Sequence, residues 1–354
     1  MAGRELTANS ARRATHAGSW YTSNGEPLWL LTLGFYTDLR LPPSLAKKLS
    51  AELDTNLAKV TPLPELQYNP PITTAKAIIA PHAGYSYSGP AAAWAYAAIP
   101  TEKIERVFLL GPAHHVYLHG VALSSFEKYK TPLGDLALDL ETIDALRKTR
   151  LFERMSAETD EEEHSLELHL PYIKHVFGEK VVKLVPLLVG RASRGVAAVL
   201  AEYWHDEKTF FIVSSDFCHW GTRFSHTPYY PHIPDSPPSP VPPVASSTST
   251  STYDPAKPLY LEPRFAHAKD RPTPIWQSIQ YMDHEGMAFL RRPAAVGAKE
   301  DWEAYLARTK HVYGGKEVGK APEIAFVRYE QSSQCLEAGD SSVSYVSGVL
   351  RVPE

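Results

Sequence analysis

The chain is poor in cysteine, holding only Cys218 and Cys335 in 354 residues. Two thiols cannot build a disulfide framework, so the fold must rest on its core, and a reducing compartment is the expected home. Long apolar runs are missing too. The most apolar early stretch, Leu28 to Tyr36, is too short to span a bilayer, so no membrane partner is expected. The opening MAGRELTANSARRATHAGSW lacks the continuous apolar segment of a secretory signal. Positive charge is not in excess: Lys and Arg number 36 against 40 Asp and Glu. With no basic stripe interleaved with aromatics, nucleic acid is not an expected partner. A Gly-rich phosphate loop and the G-x-S-x-G turn of serine hydrolases are both absent. The expectation is a soluble cytoplasmic protein, with the nucleus also open to it.

Proline (30 residues) and histidine (15) are plentiful. Much of the proline falls in residues 227–272, a Pro/Ser/Thr-rich stretch with few large aliphatics that reads as a disordered insertion. Outside it, short apolar runs alternate with helical patterns. The runs are Ala77–Ala80, Arg106–Leu110, Val181–Val189 and Thr209–Val213, with closing strands near 324–329 and 342–352. Helical spacing covers 43–59, 89–98, 140–149, 165–176, 192–206, the segment IWQSIQYMDHEGMAFLRR and 299–308. Alternation of this kind predicts an α/β fold, a mostly parallel central sheet flanked by helices. The part after the insertion has too few apolar runs for its own core, so residues 1–354 are expected to form one domain interrupted by the insertion.

Three of the apolar runs end in turn-rich polar segments. They carry His82 (in PHAG), His114 and His115 (in GPAHH), and Asp216, Cys218 and His219 (in SSDFCH). Ligands of open α/β sheets bind at the carboxyl ends of strands, so neighbouring strands would bring these side chains together. Imidazole and carboxylate are ordinary ligands of Zn, Fe and Cu, and two His with one anion is the non-haem Fe(II) pattern. A further His there can act as acid or base. In DEEEHSLELH, His164 and Glu167 share a helix face, though a solvated helix start with acids set against the dipole is the plainer reading. His16 fits a packed N-terminal turn better than a pocket. Cys218 reads as a buried thiol rather than a nucleophile.

These same segments carry a resemblance. HAGSWY (16–21), APHAGYSYSG (80–89), LLGPAHHV (109–116), ERMSAETDEEEHSLELHLPY (153–172), VSSDFCHWG (213–221) and YEQSSQC with DSSVSY (329–345) look like the MEMO family, the mediator of ErbB2-driven cell motility. The family is similar in fold to the class III extradiol dioxygenases, which are non-haem iron enzymes. The resemblance implies a metal on His82 and His114 with Asp216 beside it, His219 as the acid/base histidine, and Fe(II) or Cu as the ion. Tyr85, His16, His115, His164 and Cys218 are further pocket candidates.

The chain departs from the pattern twice. The family's remaining metal ligand is a cysteine, and here Tyr313 stands at that position, with His311 close by. A phenol titrating near pH 10 is a poorer ligand than a thiolate. Residues 28–48 also look inserted. Both departures sit between well-matching blocks, as an altered gene model would leave them. Three functions follow: a MEMO-like metal-binding protein with a redox or metal-handling role, an extradiol-type dioxygenase, and a non-enzymatic module whose pocket takes a protein or phosphopeptide partner.

Overall fold

The computed structural model describes residues 10–21, 43–190, 194–231, 233, 258–261, 272–291 and 323–352. In chain order its strands are β1 (Ala11–Arg12), β2 (Ala75–Ala80), β3 (Arg106–Pro112), β4 (Val121–Leu123), β5 (Lys128–Tyr129), β6 (Leu136–Ala137) and β7 (Phe152–Arg154). They continue as β8 (Lys183–Val189), β9 (Thr209–Ser214), β10 (His219–Gly221), β11 (Pro228–Tyr229), β12 (Leu259–Tyr260), β13 (Ile324–Gln331) and β14 (Ser341–Arg351). One large sheet runs β10-β14-β2-β9-β3-β8-β4-β7, with β13 also paired to β14. Its centre, β2-β9-β3-β8, is parallel throughout, while β14 joins β2, and β4 joins β8, antiparallel. The central strands are nearly continuous apolar runs because both of their faces are buried, as parallel strands require.

Helices supply that cover. Pro43–Leu57, Tyr85–Ala97 and Leu170–Phe177 pack on one another, and Tyr85–Ala97 lies over β14, β13 and β2. Leu49 and Leu53, one turn apart on the inner face of the first of these, are fully buried. The small residues of YSYSGPAAAWAYA let the second approach the sheet closely, and the Ser347 hydroxyl on β14 donates to the Ala91 carbonyl at 2.6 Å. Arg194–Trp204 packs on β9, Leu140–Lys148 on β7, and the single turn His164–Glu167 on β3. Among the described residues no helix is long and apolar enough to cross a membrane.

Several boundaries differ from those expected. Tyr85–Ala97 starts a turn before residue 89, because the Tyr85 amide, following Gly84, finds the Trp20 carbonyl at 2.8 Å. The helix expected over 165–176 is split into His164–Glu167 and Leu170–Phe177, with Pro171 opening the second piece. Within the stretch read as disordered, β11 pairs with β12, and Tyr229 and Tyr230 are buried. Residues 234–257 and 262–271 lie outside the described residues, as do 28–42, the expected helix at 299–308, His311 and Tyr313. Residues 43–48 of the inserted-looking stretch belong to the helix Pro43–Leu57.

Candidate metal centre

His82 stands two residues past β2, Asp216 two past β9 and His114 two past β3, and these strands are successive neighbours. The expected convergence at the carboxyl edge is therefore present. The His82 amide donates to Asp216 Oδ1 at 2.8 Å, tying the first two loops together. The His82 ring lies with Nδ1 2.6 Å from Ser214 Oγ, and that hydroxyl donates its one proton to the Ser165 carbonyl at 2.8 Å. Ser214 can then only accept from His82, so the proton sits on Nδ1 and the Nε2 lone pair is free.

His114 is fixed by the same logic. Glu163 Oε2 accepts its backbone amide and Oε1 its Nδ1, each at 2.9 Å. Burial would raise the Glu163 carboxyl, but its bonds from His114 and from the Ser165 amide prevail and hold it at about 2. An ionised carboxylate only accepts, so His114 donates to it from Nδ1.

The third member is His164, the first residue of its short helix. Its ring centroid lies 4.2 Å from that of His114 and 5.6 Å from that of His82, and Trp20 covers it at 4.6 Å. Each of the three histidines offers one ring nitrogen, and these atoms all lie within 4.8 Å of one another. Burial, with the neighbouring His114 and His82, pushes His164 down to about 3, and burial lowers His82 as well. Imidazole nitrogens gathered in this way are the donor set of Zn, Cu, Fe and Ni.

Asp216 flanks this group. Its Oδ2 lies 3.9 Å from His82 Nε2 and 3.9 Å from His219 Nε2, so it spans the two histidines. Burial would raise its carboxyl, but His82 and His219 hold it at about 2. The His219 side chain is 45% exposed, against 6% for Asp216, so it stands at the rim. The β14 strand pins this loop: the Phe217 amide donates to the Ser344 carbonyl, the Ser344 amide donates to the Cys218 carbonyl, and His219 pairs with Val343. Gly221 ends the pairing with φ +132°, where a Cβ would meet Ser341 at 2.7 Å.

His16 reaches the centre from the N-terminal segment. Its amide and Nδ1 bond Glu167 at 2.8 and 2.9 Å, and its ring centroid lies 6.1 Å from that of His164. Glu167 is fully buried and also takes Arg12 Nη1 at 2.7 Å and the Tyr21 hydroxyl at 3.0 Å. Burial opposes its ionisation, yet Arg12 and His16 hold it at about 2. The acids read as a solvated helix start are thus largely interior. Asp160, Glu163 and Glu167 are at most 1% exposed, and each meets a buried donor: Arg12 and Tyr129 for Asp160, the Ser165 amide for Glu163, and Arg12 for Glu167.

The remaining candidates sit around the group, not in it. His115 is exposed, 5.9 Å from His164 between ring centroids. The buried Tyr85 hydroxyl donates to the Leu168 carbonyl at 2.6 Å, a structural tie. Cys218 is buried in a second apolar cluster with Cys335 and Trp220, and burial drives its thiol well above the ordinary value. A cavity of about 710 Å³ opens beside His164 and His16. Arg12, Glu163 and Ser214 were not foreseen. Nothing in the local sequence separates Glu163 from the acids preceding it.

The chain matches the family model described as "Memo-like protein" over residues 41–349. It is 33% identical to "Protein memo-1 homolog" of Caenorhabditis elegans, across 96% of this chain and 83% of that protein. Against "Protein MEMO1" of Homo sapiens the identity is 32%, and against that of Xenopus tropicalis 34%, each across 96% of this chain and 97% of the relative.

Proposed function

Because the chain belongs to the Memo-like protein family, we propose that it is a metal-binding protein whose ion sits on the His82, His114 and His164 imidazoles. The observation that carries this reading is the convergence of three ring nitrogens within 4.8 Å. On His82 and His114 Nδ1 is already committed, to Ser214 and Glu163, which leaves Nε2 as the donor this reading uses. Pre-set tautomers of this kind raise ligand basicity and fix ring orientation. Fe(II) or Cu is the ion proposed, in a redox or metal-handling role. Bound there, such an ion supplies one-electron chemistry. The chain's own residues hold it, keep negative charge beside it through Asp216, and place an exposed imidazole, His219, at the rim to take or give a proton. Trp20 packs against the His164 ring, with centroids 4.6 Å apart.

Metal content of the purified protein tests this, read before and after loading with Fe(II) or Cu under anaerobic conditions. Near-stoichiometric retention through gel filtration, lost in His82→Ala and in His164→Ala, is the expected result. Unchanged stoichiometry in both variants defeats the assignment.

One observation favours a second reading. Asp216 Oδ2 stands 3.9 Å from His82 Nε2, so His82, His114 and Asp216 would form two His and one carboxylate with His219 as acid/base, an extradiol-type arrangement. A ring-cleavage product from a catechol after Fe(II) loading and oxygen would favour it. Metal binding that survives His164→Ala but not Asp216→Asn would do the same.

A further inference from the structure

One flank of the histidine group is aromatic, and the metal reading does not use it. The turn at residues 16–21 has Gly18 at φ +84° and the Trp20 amide donating to the His16 carbonyl at 3.0 Å. It sends two adjacent rings opposite ways. Trp20 is 38% exposed, with its ring centroid 4.6 Å from that of His164, while Tyr21 is buried. Behind Tyr21 runs a ladder of buried phenols. Ring centroids lie 5.5 Å apart from Tyr21 to Tyr85, 5.4 Å from Tyr85 to Tyr172, and 4.6 Å from Tyr172 to Tyr96, the last pair stacked. Phenylalanine would fill much of the same space. Indole and phenol are the aromatic side chains that give up an electron most readily, and electrons pass quickly between rings this close.

A phenol that loses an electron becomes a strong acid, so a radical rests only where a base meets its oxygen. Tyr85 and Tyr172 donate to the Leu168 and Gly89 carbonyls, which are poor proton acceptors. Of the four, Tyr21 alone donates to a carboxylate, Glu167 Oε1 at 3.0 Å.

We propose that Trp20 and Tyr21 form a one-electron relay beside the histidine group, with Tyr21 as the radical site and Glu167 as its proton acceptor. The oxidant is a peroxide-derived radical, reduced by one electron from the exposed Trp20 indole. Tyr21 returns that electron to Trp20. Its O–H bond breaks, the proton moves to Glu167 Oε1, and a neutral tyrosyl radical remains. A thiolate in solvent gives one electron back through Trp20, becoming a thiyl radical, and the proton returns to Tyr21. The relay depends on the proposed metal only for an oxidant arising next to His164.

The test uses full-length, chelator-treated protein. Flash oxidation with ruthenium(II) tris-bipyridine and persulfate supplies the oxidant in solution, and electron paramagnetic resonance with transient absorption reads the radical. A long-lived tyrosyl signal is expected, rising more slowly in D2O. Tyr21→Phe should abolish it, and Trp20→Leu should lower its yield several-fold, both with folding verified by melting. The exposed phenols Tyr87 and Tyr117 should be dispensable, so Tyr87→Phe and Tyr117→Phe keep the signal. A long-lived signal that survives Tyr21→Phe overturns the inference, as does a yield unchanged in Trp20→Leu. A rise equally fast in D2O overturns the proton transfer to Glu167. A Tyr21 radical in a protein that retains no metal on loading would leave the relay standing and the metal reading fallen.

Discussion

At the scale of single residues the proposed centre depends on side chains that would never touch the ion. Ser214→Ala removes the acceptor that fixes the His82 tautomer, so metal affinity should fall by about 10–100-fold. Competition with a chromophoric chelator measures this, and an unchanged affinity would mean that the tautomer does not matter. Arg12 is more deeply placed, fully buried between Asp160 and Glu167. Arg12→Met leaves both carboxylates without their cation and should cost about 3–5 kcal/mol in denaturant unfolding. The primary residues were legible beforehand, because His82, His114 and Asp216 each follow an apolar run and a Gly, Pro or Ser turn. His164 was ambiguous, since a histidine among acids looks the same whether the acids are solvated or buried. Arg12 and Glu163 were illegible, because their partners come from remote segments: Arg12 meets Asp160 across 148 positions.

At the scale of elements, the position of His164 is set by how closely its short helix lies on β3. Gly111 is what allows this. A Cβ there would stand 2.5 Å from Ser165 Oγ and 2.9 Å from Leu166 Cδ2. Gly111→Ala should therefore push the His164–Glu167 turn outward, destabilising the fold by about 1–3 kcal/mol and lowering metal affinity. Parallel melting and metal-binding measurements check both, and a variant that loses neither would show that the helix yields without consequence. Strands and helices were read well because the central strands are buried on both faces and the outer helices keep a 3.6-residue stripe. Boundaries were read less well. The early start of Tyr85–Ala97 depends on the Trp20 carbonyl, supplied from a distant segment. The pairing of β11 with β12 was hidden by the proline and serine around it.

At the scale of the whole molecule, buried titratable groups make the fold sensitive to acid. Burial lowers His169 to about 3 and His284 to about 4, and Glu167 is held at about 2. All three are depressed, so the unfolded chain binds protons that the folded chain refuses. Their stabilisation is complete above the unfolded values, near pH 6.5 for the histidines and 4.5 for Glu167. It is lost progressively as pH falls toward the folded ones. Asp160, raised by burial, opposes the trend. The melting temperature should drop by several degrees from pH 7 to 5 and again below 4.5. A flat profile over that range would contradict the burial of the two histidines.

The place of β14 in the sheet bears on synthesis. It lies between β2 and β13, and its Ser347 bonds Ala91, 256 positions upstream. At about 5–20 residues per second, a ribosome needs roughly 10–50 s to make the intervening chain. For that interval the nascent β2, which leads into His82, has an open edge on the side that β14 will occupy. An unpaired strand edge invites other strands. Until residues 341–351 pair with it, that edge is where the newborn polypeptide is most open to wrong pairing.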